Sequence, residues 1–207
     1  MKHFVVTLLV GGWLFLSACH NHNTRTDGAA GSTDSLPKDS TVNVFFPVGD
    51  YLETEILRVD STPIAIVKYT VQKDRKDSVF ISPVEFNALA RQFLSPEFGN
   101  GSFQKNYQES SFMDKATRSV TFTYSTQDRS LPLQRVDVLA VPSPNGSSNR
   151  VKSIYIERTD GSGDTLTLRK MYWKAGQNFQ ILMRTSIHGQ PPVERQLKVV
   201  WNNGEEE

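Results

Sequence analysis

The stretch RVKSIYIERTDGSGDTLTLRKMYWKAGQNFQILMRTSIHGQPPVERQLKVVW, from Arg150 to Trp201, decides the fold. Its apolar residues recur at every second position. Ile154 and Ile156 alternate with Ser153 and Tyr155, and Leu166 and Leu168 with Thr165 and Thr167. Phe179, Ile181 and Met183 alternate with Gln180 and Arg184; Leu197, Val199 and Trp201 alternate with Gln196, Lys198 and Val200. Period two is the pattern of strands with one buried face. The connectors Asp160–Asp164, Ala175–Asn178 and His188–Pro192 are rich in turn residues. Loops this short leave no room for crossover helices, so the strands must run antiparallel, as a meander.

The same period extends upstream. Val136 and Val138 alternate with Arg135 and Asp137, and Val120, Phe122 and Tyr124 with Thr121 and Thr123. Thr126–Pro132 and Pro142–Asn149 are the connectors. Earlier still, Ile64–Val71 and Val79–Ile81 flank the polar turn Gln72–Asp77 and read as a hairpin. Ser82-Pro83-Val84-Glu85 is a capping box with proline at the first helical position. Phe86, Leu89, Ala90, Phe93 and Leu94 then share one helical face, and Ser95-Pro96 ends the run. A first helix follows Pro47, with Val48, Tyr51, Leu52, Ile56 and Val59 on its apolar face and Asp50, Glu53 and Glu55 on its solvated face. Phe98–Lys115 shows neither period; Phe103, Tyr107 and Phe112 there are expected to cover the core edge. The predicted class is α+β: an antiparallel β-meander of about six to eight strands with two α-helices packed on one face. It forms a single domain over 42–203, followed by an acidic tail, 204–207.

Composition narrows the function. The 207 residues carry a formal net charge of +1, so no global field points to nucleic acid. Among them is one cysteine, which excludes an internal disulfide, and four histidines, His3, His20, His22 and His188. His188 alone lies within the predicted domain, in a loop. Gly161-Ser162-Gly163 lacks the spacing of a nucleophile elbow. Asp160 and Asp164 flank it, but the rest of a calcium loop is missing, so it reads as a hairpin turn. Glu53, Glu55, Glu85, Glu97 and Glu109 read as solvated carboxylates. The pair His20 and His22 reads as solvated tether. No catalytic residue, metal site or cofactor is expected.

The amino terminus is a different matter. Lys2 and His3 precede a run, Phe4–Leu16, that is apolar apart from Thr7 and two glycines. It is shorter than the roughly 20 residues of a spanning helix and fits the apolar region of a secretory signal. It ends at Leu16-Ser17-Ala18-Cys19, which resembles the lipobox of bacterial lipoproteins. The resemblance covers about the first twenty residues. It implies that Leu16, Ser17 and Ala18 are the signal-peptidase recognition residues and that 1–18 is removed. Cys19, whose thiolate is the natural nucleophile, then carries lipid. Several acyl chains, at about 0.8 kcal/mol per buried methylene, would hold the protein to a membrane. In enteric bacteria an Asp after the cysteine marks inner-membrane retention. Here His20 follows, and an acidic surface-export run is also missing, so the resemblance implies the outer membrane, facing the periplasm. Residues 19–41 are otherwise polar and small and read as a flexible tether. Asp34-Ser35-Leu36 and Asp39-Ser40-Thr41 resemble a Bacteroidota O-glycosylation motif, and the folded part is similar to envelope lipoproteins of that group.

One collective feature remains. Between Arg150 and Lys198, nine basic residues (Arg150, Lys152, Arg158, Arg169, Lys170, Lys174, Arg184, Arg195 and Lys198) face Glu157, Asp160, Asp164 and Glu194. An ordinary solvated sheet accounts for this, with lysines that discourage edge pairing. The functional alternative is a platform for anionic envelope material. Arg158, Arg169, Lys170, Arg184 and Lys198 would gather on the wet face, because an unpaired buried charge costs several kcal/mol. Met171, Tyr172 and Trp173 would add aromatic contact there, with part of that cluster packing inward. Three functions are therefore weighed. The leading one is a non-enzymatic envelope lipoprotein that binds a protein, glycan or lipid partner. The others are a carrier of an apolar ligand in a cavity between sheet and helices, and a hydrolase of envelope polymers.

Overall fold

The computed structural model describes residues 45–99, 101–143 and 149–202. The alternation becomes nine strands: β1 (Ile66–Gln72), β2 (Arg75–Ile81), β3 (Gln108–Asp114), β4 (Ser119–Ser125), β5 (Leu133–Pro142), β6 (Asn149–Ser162), β7 (Thr165–Lys174), β8 (Asn178–Ile187) and β9 (Val193–Val200). They form one sheet in the order β2-β1-β9-β8-β7-β6-β5-β4-β3. Every neighbouring pair is antiparallel. From β3 to β9 the chain is a pure meander, while the β1–β2 hairpin attaches beyond β9 with Val67 opposite Val200. The sheet thus has nine strands instead of six to eight. The addition is β3, an edge strand whose Phe112 and Met113 are both exposed.

Both expected helices are present, as α1 (Val48–Asp60) and α2 (Pro83–Ala90), and a short third, α3 (Ser102–Asn106), follows. Ser82 Oγ accepts the Glu85 N–H at 3.2 Å, and Pro83 opens α2 as its sequence dictates. The Glu85 carboxylate pairs with Lys68 of β1, which ties the helix to the sheet. After Ala90 the helix tightens into a 3-10 turn, Arg91–Phe93, before Pro96.

In α1, Val48, Leu52, Ile56 and Val59 are buried as their spacing predicts. Glu55 is buried with them, at 3% exposure, and is not a solvated carboxylate. Its Oε2 accepts the Gly176 N–H at 2.8 Å, and its Oε1 lies 2.5 Å from Arg58 Nη1. Gly176 sits in the β7–β8 turn at φ +68°, a conformation that favours glycine. One buried acid therefore pins α1 to a turn of the sheet.

The helices cover one sheet face, and aromatic rings fill the space between. Phe93 and Phe86 of the helical layer reach Trp173, Phe179 and Trp201, with ring centroids 5.2–5.9 Å apart. Truncating such a ring to alanine costs roughly 3–5 kcal/mol. A second aromatic group, Phe45, Phe103, Tyr107 and Tyr124, seals the β4 side. There Phe46 N–H donates to Tyr124 Oη at 3.0 Å, and Tyr107 Oη donates to the Leu133 carbonyl at 2.7 Å. Burial pushes the Tyr124 phenol up to about 12 and the Tyr107 phenol higher still. Among the described residues no helix is long and apolar enough to cross a membrane. The expected signal, lipidated cysteine, tether and tail (1–18, 19–41 and 204–207) lie outside the described residues.

Candidate functional site

Sheet parity decides where the cations go. Residues opposite one another in an antiparallel pair share a face, as do residues two apart. Trp173 faces the helices, so Met171, Arg169 and Thr167 do too. Arg158 is the cross-strand partner of Arg169 and points the same way. Its Nη1 reaches Ser95 Oγ, just beyond the 3-10 turn, at 3.3 Å. The expectation that the five basic residues share the wet face is therefore corrected. Arg158 and Arg169 lie on the helix-bearing face, and Lys170, Arg184 and Lys198 lie on the open one.

The cause is a clash of phase within β7. Leu166 and Leu168 sit on even positions and Met171 and Trp173 on odd ones, so an unbroken strand cannot bury both pairs. The larger pair wins: Trp173 and Met171 are fully buried and Leu166 is exposed. Tyr172 faces out, between Lys170 and Lys174 in sequence.

The helical layer is shorter than the strands, which leaves part of the helix-bearing face uncovered. Adjacent strands place a row of residues there: Arg75 opposite Gln72, Gln72 opposite Arg195, Arg195 opposite Met183, Met183 opposite Arg169, and Arg169 opposite Arg158. At about 4.8 Å per strand the row spans roughly 24 Å. It contains four guanidinium groups. Asp160, two residues along β6, pairs with Arg169 and lies 3.7 Å from Arg158 Nη2. The Nε atoms of both arginines are buried without a hydrogen-bond partner. Arg75 and Arg195 are exposed and form no ion pair among the described residues.

At the β2 end the row opens into a cleft of about 890 Å³. Its floor is Ile181, Met183 and Leu197, and Leu89 and Gln92 of the helical layer form a wall. Arg75 and Arg195 stand at its rim, and no sequence period announced it. Following the phase of Ile154 and Ile156 places Arg158, and that of Leu197 and Val199 places Arg195. Arg169 was hidden by the conflicting phase of Leu166 and Leu168, and Arg75 fell within the expected turn Gln72–Asp77, where the structure begins β2.

The opposite face carries another row: Tyr69, Lys198, Gln180, Tyr172 and Tyr155 on successive strands. Tyr155 Oη donates to Glu157 at 3.0 Å; burial, and then Glu157, push its phenol up to about 12. Arg184 on this face lies 3.7 Å from Glu194.

The remaining candidates are scattered. His188 is exposed in the β8–β9 turn, where its backbone N–H donates to the Asp164 carbonyl at 3.0 Å. Gly161 and Ser162 end β6, paired with Leu166 and Thr165, and Gly163, at φ +55°, begins the two-residue turn into β7. Glu97 accepts from Ser95, and Glu53 is exposed. Among the described residues no three His, Cys, Asp or Glu side chains are grouped to hold a metal ion. Leu16, Ser17, Ala18 and Cys19 lie outside the described residues. No protein family, curated protein or solved structure matches the chain.

Proposed function

We propose that the protein is a lipid-anchored component of a bacterial cell envelope, held through Cys19 at the outer membrane and facing the periplasm. In this reading its folded part binds a partner and performs no catalysis. The partner is an envelope component bearing phosphate or carboxylate groups. The anchor rests on Leu16-Ser17-Ala18-Cys19. The binding role rests on one observation: a row of four arginines on the helix-bearing face, of which Arg158 and Arg169 are engaged by Asp160 while Arg75 and Arg195 are exposed. Guanidinium forks match carboxylate and phosphate oxygens two bonds at a time. The two free arginines, Arg75 and Arg195, retain that capacity. A carrier site in the middle of the layer has less support, because Phe86, Phe93, Trp173, Phe179 and Trp201 fill that part of the space between helices and sheet; only its edge, beside Leu89, is open.

Binding to a soluble polyanion tests the reading. The chain from residue 20 onward should bind dextran sulfate in low salt and lose affinity as salt rises, since screening acts over about 8 Å at physiological ionic strength. Reversing Arg75 and Arg195 to glutamate together should weaken binding at least tenfold. Absence of binding at low salt, or indifference to the double reversal, would overturn the reading.

A further inference from the structure

The row of arginines ends in a cleft whose chemistry is narrower than a general attraction for anions. Its floor is apolar: Ile181, Met183 and Leu197 lie side by side on β8 and β9. Leu89, from the end of α2, closes over them as a wall. A hydrated polymer segment gains nothing from such a floor, whereas a hydrocarbon chain does, at about 25 cal/mol per Å² removed from water. The rim is charged. Lys73, Arg75 and Arg195 face Asp74 and Asp77, so three cations stand against two carboxylates. That balance leaves one positive charge to neutralise, which suits one anionic group and not a string of them. The volume, about 890 Å³, falls within the roughly 300–1,000 Å³ of small-ligand sites. The cleft lies at the edge of the core: Ile181 belongs to it, and Leu89 and Leu197 pack against it.

We propose that this cleft binds a single-chain amphiphile with one anionic head. Its hydrocarbon lies on the half-buried Met183 and Leu197 against Leu89, above the buried Ile181, and its carboxylate or phosphate lies between Arg195 and Arg75. This rests on the reading above, that the arginine row binds anions, and narrows it to one ligand class. Carboxylate and phosphate heads share the recognition chemistry, so a fatty acid and a phosphate monoester are both candidates.

The test uses the chain from residue 20 onward, which contains the whole described core, and a fluorescent fatty acid, dansylaminoundecanoic acid. The probe should bind with a stoichiometry of one. Dodecanoate and dodecyl phosphate should displace it, and their relative potencies identify the preferred head. Dodecyltrimethylammonium and inorganic phosphate should not, because each lacks one half of the ligand. Arg195→Glu and Met183→Asp should each weaken probe binding at least tenfold, while Lys198→Glu, on the opposite face, should leave it unchanged. Thermal unfolding of each variant reports its folding, and Arg195→Gln with Met183→Ser serves as a milder pair. Two results overturn the proposal: no saturable probe binding, or displacement by the cationic amphiphile as readily as by the anionic ones. If dextran sulfate binding depends on Arg195 while Met183→Asp changes nothing, the anion-binding reading stands and the amphiphile proposal falls.

Discussion

Arg158 and Arg169 stand directly opposite one another on β6 and β7, on the helix-bearing face, with the Asp160 carboxylate shared between their guanidinium groups. Two half-buried cations side by side repel unless an anion lies between them, so Asp160 is part of the fold as well as of the row. Arg169→Glu would remove the partner of Asp160 and set a second carboxylate beside it, and is expected to destabilise by about 1–3 kcal/mol. Arg184→Glu acts on the open face, where the side chain is 53% exposed, and should cost under about 1 kcal/mol. Urea unfolding of the two single variants checks the contrast; equal effects would place both arginines in equivalent surroundings, against the structure.

The Glu55–Gly176 bond predicts a second asymmetry. Glu55→Ala leaves the Gly176 N–H without its acceptor and should cost roughly 1–3 kcal/mol. Glu55→Gln keeps an acceptor oxygen and should cost less. Gly176→Ala meets no atom within 4 Å of its new Cβ, so its penalty is conformational alone, about 1–2 kcal/mol for the left-handed backbone. Chemical denaturation midpoints of the three variants test the ranking.

Burial sets the alkaline limit. The folded phenols of Tyr51, Tyr124 and Tyr155 are raised to about 12, first by burial, from an ordinary value of 10.0. A raised folded value means that the unfolded chain loses these protons first. The stability they contribute is intact below pH 10 and is lost as pH rises from 10 towards 12. Unfolding midpoints should fall across that interval, and absorbance at 295 nm should rise later in native protein than in urea. Tyr124→Phe should flatten part of the fall while removing the partner of the Phe46 N–H.

The anchor makes its own prediction. Cys19→Ser should abolish incorporation of a labelled fatty acid in cells and leave the signal unprocessed. Labelling that persisted in this variant would end the lipoprotein reading.

Much of the fold was legible because one rule, alternation against a single buried face, runs through most of the strands from β4 to β9, although β7 changes phase partway and β2 is exposed up to Ile81. The helix starts were legible from Pro47 and from Ser82-Pro83. The rule failed where residues answer to backbone pairing instead of burial. In β3 the exposed neighbours Phe112 and Met113 break alternation, and the strand is held by its pairing with β4. It failed again at Glu55, where residue type suggested solvent while helical position, three after Leu52 and one before Ile56, put the carboxylate inside. The candidate site was legible only in part. Charge counting found an excess of cations, but assigning them to a face required knowing which half of β7 sets the phase.

The pairing of β1 with β9 has a consequence for how the molecule comes into being. The first hairpin to be synthesised docks on the last strand, so the sheet cannot latch until the carboxyl-terminal residues arrive. Contacts between distant parts of a chain form late and slowly. The hairpins from β3 to β8 join consecutive strands and need nothing beyond themselves, whereas the β1–β2 hairpin must wait for β9. The first part of the sheet to be made is thus the last to be fastened.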